Sequence, residues 1–410
     1  MRLQRFDETK IIFGECETDT TQTYMAKKAG QKKTSAMKVA MKAARRVALL
    51  LTLLLCALLL ASAYGGMVDP RISAKPSLLT LALPYVLMSV VAFAVLLAVV
   101  GWWRLSLIAV VAIALSWPSA RVVCPLHAFS PKVKPEQEAL LFKVMTFNAK
   151  YFIYDESEYW NNNNLAFDYI MRSDADIVAV QEGDVGTYLS QMPSLKDRYA
   201  ELKSKYPYRT DQHRSNMSLL SRYPFTVLGT DTLSADNTAM AVYYKVKIKH
   251  RELYVVNLHL QSIRLNSDDK SFFLEYTKPG DVRGKIAGTD SLRVGILSKL
   301  QKAFRLRADQ ADLVRAKIGE LGKNVIVCGD FNDTPCSYAY RTIRGDDFAD
   351  TYEQCGFLPT ITYHENRFWL KIDHLLFRGD MQAVGIERAD VKVSDHYGMM
   401  ASLVWNPVDD

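Results

Sequence analysis

Asn324-Val325-Ile326-Val327-Cys328-Gly329-Asp330-Phe331-Asn332-Asp333-Thr334-Pro335 is the stretch whose reading decides the fold. Four apolar residues in a row, closed by glycine and followed by polar turn residues, predict a buried strand that delivers its end to a surface. Asp330 and Asn332 stand at that end, and side chains at i and i+2 share one side of an extended chain. A carboxylate and a carboxamide so placed can orient a water and a substrate oxygen. Alone, the pattern fits an ordinary strand-end turn better than a catalytic one. Its weight comes from repetition at other strand ends.

Short apolar runs alternate with amphipathic stretches from about Leu140 onward. They predict strands over Phe142–Asn148, Ile177–Gln181, Met217–Ser221, Ala239–Ile248, Leu253–Leu260, Val325–Gly329, Ile372–Phe377 and Met399–Val404. Helices are expected over Asn163–Ser173, Thr187–Gln191 and Ser291–Leu321. Residues 140–410 suffice to bury the core of one α/β domain. Residues 263–290 read as a surface excursion, in the manner of a substrate-side loop.

The amino-terminal third is different. Residues 1–25 are polar and without a period; residues 26–46 carry eight basic and no acidic side chains. Together, 1–46 read as a disordered, basic cytoplasmic leader, and much of the net charge of +7 sits there rather than on a nucleic-acid footprint. Three apolar segments follow, 47–64, 78–103 and a shorter 105–120, with Trp102, Trp103 and Trp117 where interfacial aromatics belong. A signal peptide would account for the first run alone. The expectation is a transmembrane anchor over 47–120, a linker over 121–139, and a multi-pass protein of the plasma (inner) membrane. The basic leader would face the cytoplasm; three crossings would then put the globular part outside it, whereas a third segment that only re-enters or lies in the interface would keep it inside. Six cysteines show no metal-like spacing; buried free thiols are the default, and a Cys336–Cys355 disulfide is an option outside the cytoplasm.

The strand ends repeat the opening construction. Val144–Asn148 ends in Asn148, and Asp176–Glu182 in Glu182. Tyr254–Leu260 carries Asn257 and His259 on one face, Lys371–Phe377 contains Asp373, and Val393–Gly398 sets Asp395 beside His396. Each has a dull explanation as turn chemistry or a solvated end; six together do not. The order FN, QE, NxHL, GDFN, IDH, SDH, with the softer Ser218–Pro224 run, resembles the endonuclease/exonuclease/phosphatase superfamily over roughly residues 142–404. That resemblance implies a four-layer α/β sandwich, two mixed sheets face to face with helices outside and the site at one end, preceded here by about three transmembrane helices.

It also implies metal-dependent hydrolysis of a phosphoester bond. Such chemistry needs neutralised phosphoryl oxygens and an in-line water, and Mg²⁺ or Mn²⁺ suits hard oxygen ligands. By resemblance, Glu182 is the first metal ligand, with Asn148 beside it. Asp330 orients or deprotonates the water, and Asn332 holds it or a phosphoryl oxygen. His396 contacts the scissile phosphate with Asp373 as its partner, and Asp395 touches the metal. His259 donates to a phosphoryl oxygen, and Asn257 binds substrate beside it. His374 is left out, because alternation points it away from Asp373.

A histidine at position 259 departs from the tyrosine of the abasic-site endonucleases, which disfavours that subgroup. The expected substrate is nucleic acid or a lipid head group. The competing reading is a non-catalytic, membrane-anchored binding protein that retains the fold.

Overall fold

A computed structural model describes residues 9–129, 133–154, 164–186, 192–193, 195–196, 198–210, 216–234, 238–264, 269, 290–365 and 368–407. Its strands are β1 (Leu141–Asn148), β2 (Ile177–Gln181), β3 (Tyr208–Arg209), β4 (Met217–Ser221), β5 (Phe225–Asp231), β6 (Ala241–Ile248), β7 (Arg251–His259), β8 (Val325–Asp330), β9 (Ala349–Asp350), β10 (Asp373–Arg378), β11 (Met381–Arg388) and β12 (Met399–Trp405). Helices α1 (Thr9–Tyr64), α2 (Lys75–Thr80), α3 (Leu83–Val99) and α4 (Trp103–Val123) precede them. Within the domain lie α5 (Leu165–Arg172), α6 (Tyr199–Lys205), α7 (Asp290–Gly319), α8 (Tyr338–Arg344) and α9 (Thr351–Cys355). The helix expected over Thr187–Gln191 and most of the 263–290 excursion lie outside the described residues.

The strands form two mixed six-stranded sheets, ordered β11-β12-β1-β2-β4-β3 and β5-β6-β7-β8-β10-β9. Alternation along each strand sorts side chains into layers. Val144, Ile177 and Ala179 of one sheet meet Val255, Ile326 and Cys328 of the other in a core between the sheets. Met145, Val178 and Val180 pack outward on α5 and α6; Val256, Val325 and Val327 pack outward on α7 and α8. This is the expected four-layer sandwich. The wholly apolar run in β8 follows from both faces being covered. Gly329 is required there: its φ is +142°, and a Cβ would lie 2.0 Å from the Leu258 carbonyl oxygen.

The amino-terminal third departs from expectation. Residues 9–46, read as a disordered leader, continue as helix into α1, a single run of 56 residues; the segment is rich in Ala and Lys, which favour helix. The second apolar segment is broken: Pro84 opens α3, which Val100 and Gly101 (φ +81°) close after 17 residues. The third, expected to be short, is α4 with 21 residues. Only α1 and α4, among the described residues, are long and apolar enough to cross a bilayer; α3 is shorter. The three pack on one another through small residues such as Ala63, Ala94, Ala109 and Ala112 together with Leu59, Leu87 and Val90. Other large apolar side chains, such as Leu54, Met88, Val99, Leu107 and Leu115, are exposed.

One end of this bundle is built into the sandwich. Arg341 Nη2 donates to the Ala63 carbonyl at 2.9 Å and to Ser119 Oγ at 2.7 Å. Arg121 pairs with Glu353 at 2.8 Å. Gly66 sits so close that a Cβ would fall 1.9 Å from the Cys336 carbonyl oxygen. Cys336 and Cys355 are free buried thiols, so the disulfide option is not taken.

Candidate active site

The pairing register brings the chemistry to one end of the sandwich. Parallel pairing sets Asn148 at the end of β1 opposite Gln181, one residue before Glu182. In the other sheet Asp330 of β8 is flanked by His259 of β7 on one side and Asp373 of β10 on the other. The β11–β12 side supplies Asp395 and His396 from the turn before β12. Loop positions do the fine aiming. Glu182 (φ +47°) and Asn332 (φ +52°) hold left-handed backbone without being glycine, a costly conformation that persists where surrounding structure demands it.

Asn148 is the hinge between the sheets: its Nδ2 donates to Glu182 Oε1 at 3.2 Å and to Asp330 Oδ2 at 3.1 Å. The backbone N–H of Asn332 donates to Asp330 Oδ1 at 2.8 Å. His259 Nε2 lies 3.5 Å from Glu182 Oε1 and 3.9 Å from Asp330 Oδ2. His396 stands between two carboxylates, with Nδ1 2.9 Å from Asp373 Oδ2 and Nε2 3.6 Å from Asp330 Oδ2. Burial alone would discharge this imidazole; Asp373, then Asp330, outweigh burial and raise its pKa well above the ordinary value, leaving it protonated at neutral pH. Burial also pushes the Asp330 carboxyl up, with Asp373 acting the same way against the pull of His396.

Glu182, Asp330, Asn332, Asp395 and His396 open onto one cavity of about 690 Å³. Asp395 is on its far side, 3.1 Å from Ser394 Oγ and 4.0 Å from Lys150 Nζ. One expectation needs correction. Asn257 does not reach the cavity: it is fully buried, accepts from Gln181 Nε2 at 2.6 Å, and donates to the carbonyls of Val180 (2.9 Å) and Ser218 (3.2 Å). It ties the two sheets beneath the site, because its strand position faces the inter-sheet layer. Asn332 lines the cavity, with one Nδ2–H donated to the Leu260 carbonyl at 2.9 Å.

Residues 145–396 match the Endonuclease/Exonuclease/phosphatase family. The chain belongs to that family. Its members are generally hydrolases of phosphoester bonds that use a divalent metal ion. Residues 45–123 match a separate domain of unknown function (DUF8431), which spans the helical bundle. No curated protein matches the chain. Similar solved structures include D. rerio TDP2 complexed with single strand DNA product (14% identity, 64% of this chain, 98% of that one, TM-score 0.42). Others are an endonuclease/exonuclease/phosphatase from Beutenbergia cavernae (18%, 65% and 72%, TM-score 0.42) and the human Nocturnin catalytic domain with bound sulfate (15%, 65% and 95%, TM-score 0.41).

The donor set suits the family's divalent ion. Glu182 offers a hard oxygen, and its side chain, 26% exposed, faces the cavity that also holds Asp330; Asn148, whose Nδ2 faces Glu182, has its oxygen on the Lys150 N–H at 3.2 Å, with a second lone pair to offer. A second group, Asp330, Asp373 and His396, has donor atoms within 4.8 Å of one another. There His396 Nδ1 already engages Asp373 Oδ2 at 2.9 Å.

Other residues at the site escaped sequence reasoning. Lys150, in a left-handed turn with Tyr151 and Phe152, enters the cavity paired with Glu365 at 3.0 Å. Arg307 of α7 is buried, bonded to Asp333 Oδ2 at 3.1 Å and to the Gln261 carbonyl at 2.8 Å. Neither lies in a motif, and Arg307 is one of many basic residues along α7, so no sequence signal marks it. His374 is a packing residue, as expected: Nε2 faces the Asp333 carbonyl at 3.0 Å and Nδ1 faces Lys371 Nζ at 2.9 Å, between the rings of Phe331 and Tyr340.

Proposed function

We propose that the chain is a membrane-anchored, Mg²⁺-dependent phosphodiesterase that adds an in-line water to its substrate at the Asp330–His396 centre. The observation that carries this reading is the meeting of Asn148, Glu182, His259, Asp330 and His396, linked by contacts of 3.1–3.6 Å, with Glu182, Asp330 and His396 lining one cavity. Asp330, fixed by Asn148 and the Asn332 amide, takes a proton from the attacking water. The His396 imidazolium, oriented by Asp373, directs Nε2–H at the phosphoryl oxygen where charge develops, and His259 donates beside it. Glu182 and Asn148 would hold Mg²⁺, which supplies Lewis-acid neutralisation of phosphoryl charge. One P–O bond forms to water, one breaks, and the departing oxygen takes up a proton.

The anchor reading rests on the bundle's surface. A surface of exposed large apolar residues, among them Leu54, Met88, Val99, Leu107 and Leu115, is one that lipid would cover. Arg45 and Arg46 of α1 share the end remote from the sandwich with Trp102, Trp103 and Arg104. By the positive-inside tendency that end and the leader lie in the cytoplasm, with the catalytic domain on the opposite face. A reporter fused after Asp410 tests this: activity only of a periplasm-competent reporter supports it, and activity only of a cytoplasmic one refutes it.

The enzymatic claim is tested with the full-length protein in detergent on bis-p-nitrophenyl phosphate. Hydrolysis is expected with Mg²⁺ or Mn²⁺ and none in excess EDTA; undiminished hydrolysis in EDTA would refute the metal assignment.

A further inference from the structure

Leu81, at the junction of α2 and α3, is a wall of the catalytic cavity, facing Leu300, Phe368 and Leu370 across it. A site for a freely soluble substrate has no need of a wall supplied by the bundle. Behind Leu370 lies a second cavity of about 220 Å³, between the first turns of α3 and the loop before β10. Pro84, Tyr85 and Met88 line it on the helix side, and Ile361, Trp369 and Leu370 on the domain side. Leu370 is thus a partition common to both cavities.

The partition is tied mechanically to the catalytic histidine. Tyr363 exchanges backbone bonds with Leu370 (Tyr363 N–H to Leu370 O at 2.9 Å, Leu370 N–H to Tyr363 O at 3.2 Å), and its ring packs 5.0 Å from that of His396. On the other side Tyr85 Oη donates to the Trp369 carbonyl at 2.7 Å. The outer cavity opens beside exposed Tyr85, Met88 and Trp369, in continuity with the outward apolar side chains of α3.

We infer that the substrate is a phospholipid drawn from the bilayer around the bundle, with an acyl chain in the outer cavity and its phosphodiester at Asp330 and His396. This rests on the phosphodiesterase reading above and specifies its substrate class. The apolar wall shared with the bundle and the opening of the outer cavity beside the exposed side chains of α3 favour it over a polynucleotide. Water adds to phosphorus, one ester P–O bond breaks, and the products are a phosphomonoester and an alcohol, one of which keeps the acyl chains.

The test uses full-length protein in mixed micelles. Dihexanoyl and dipalmitoyl forms of phosphatidylcholine, phosphatidylethanolamine and phosphatidylglycerol are offered at equal surface fraction with Mg²⁺, alongside oligothymidylate and bis-p-nitrophenyl phosphate. For at least one head group, kcat/KM should favour the dipalmitoyl form by about tenfold or more, since each buried methylene adds severalfold. Met88→Trp, which fills the outer cavity, should bring that ratio towards one, whereas Met88→Ala should keep it; Met88 is 60% exposed, so both variants should fold. A wild-type ratio near one for every head group, or faster cleavage of oligothymidylate than of any lipid, would overturn the inference while bis-p-nitrophenyl phosphate is still hydrolysed. No hydrolysis even of that diester would instead overturn the phosphodiesterase reading itself.

Discussion

Nδ1 of His396 lies 2.9 Å from Oδ2 of Asp373, the residue whose register partner across β8 is Asp330. The carboxylate that orients the histidine and favours its charge is therefore positioned by the same strand pair that positions Asp330. Asp373→Asn keeps the size of the side chain and removes the charge. It should lower kcat on bis-p-nitrophenyl phosphate by roughly 10²–10⁴-fold with a much smaller change in KM, the range of a lost proton-handling group. A loss confined to KM would show that Asp373 serves binding instead.

Glu182 combines a left-handed backbone (φ +47°) with a carboxylate at the cavity. Glu182→Ala and Glu182→Gly should both raise the half-saturating Mg²⁺ concentration, by about tenfold or more. Only glycine relieves the backbone, so Glu182→Gly should be the more stable of the two by roughly 1 kcal/mol in denaturant melts. Equal stability would mean that the strain is not present in solution.

His374 gives stability a pH dependence. Burial, then the neighbouring Lys371, lowers its pKa to about 3 from an ordinary 6.5. The unfolded chain therefore takes up the proton first as pH falls, and stability is lost from about pH 6.5 downward, until the folded form also protonates near pH 3. Between pH 7 and pH 5 this group alone should remove about 2 kcal/mol. The loss should be absent in His374→Gln, measured as the difference between melts at the two pH values.

Asn257 ties the sheets through three buried hydrogen bonds. Asn257→Ala removes all three of these buried bonds, although Gln181 Nε2 keeps Thr146 Oγ1 and the Ala179 carbonyl, and should cost roughly 2–4 kcal/mol of stability. Activity per folded molecule should fall far less than in Asp373→Asn. A thermally normal but inactive Asn257→Ala would return this residue to the substrate side.

The sandwich and most of the site were legible because their signals are local. Four apolar residues before Gly329 mark a strand covered on both faces, and Asn148, Glu182, Asp330 and His396 each stand at a strand end. The strands β5 and β11 were missed: β5 is largely exposed and β11 carries Gly385 and the charged pair Glu387 and Arg388, so neither reads as a buried strand. The role of Asn257 was misread because alternation gives the face of a side chain, not its depth; His259, two residues on, reaches the cavity rim from the same face. Leu81, Lys150 and Arg307 were invisible because what matters about them is contact with residues far away in the chain. In the amino-terminal bundle, hydropathy located the apolar segments, while the actual bounds of α3 were set by Pro84 and Gly101.

The central claim is most directly tested by comparing wild type with Asp330→Asn, full length in detergent with saturating Mg²⁺, for turnover of bis-p-nitrophenyl phosphate and for thermal midpoint without metal. Burial raises the Asp330 pKa, so the folded state disfavours its charge. The neutral variant should therefore melt no lower than wild type while turnover falls by about 10³-fold or more. Turnover within a few-fold of wild type in a normally folded Asp330→Asn would contradict it.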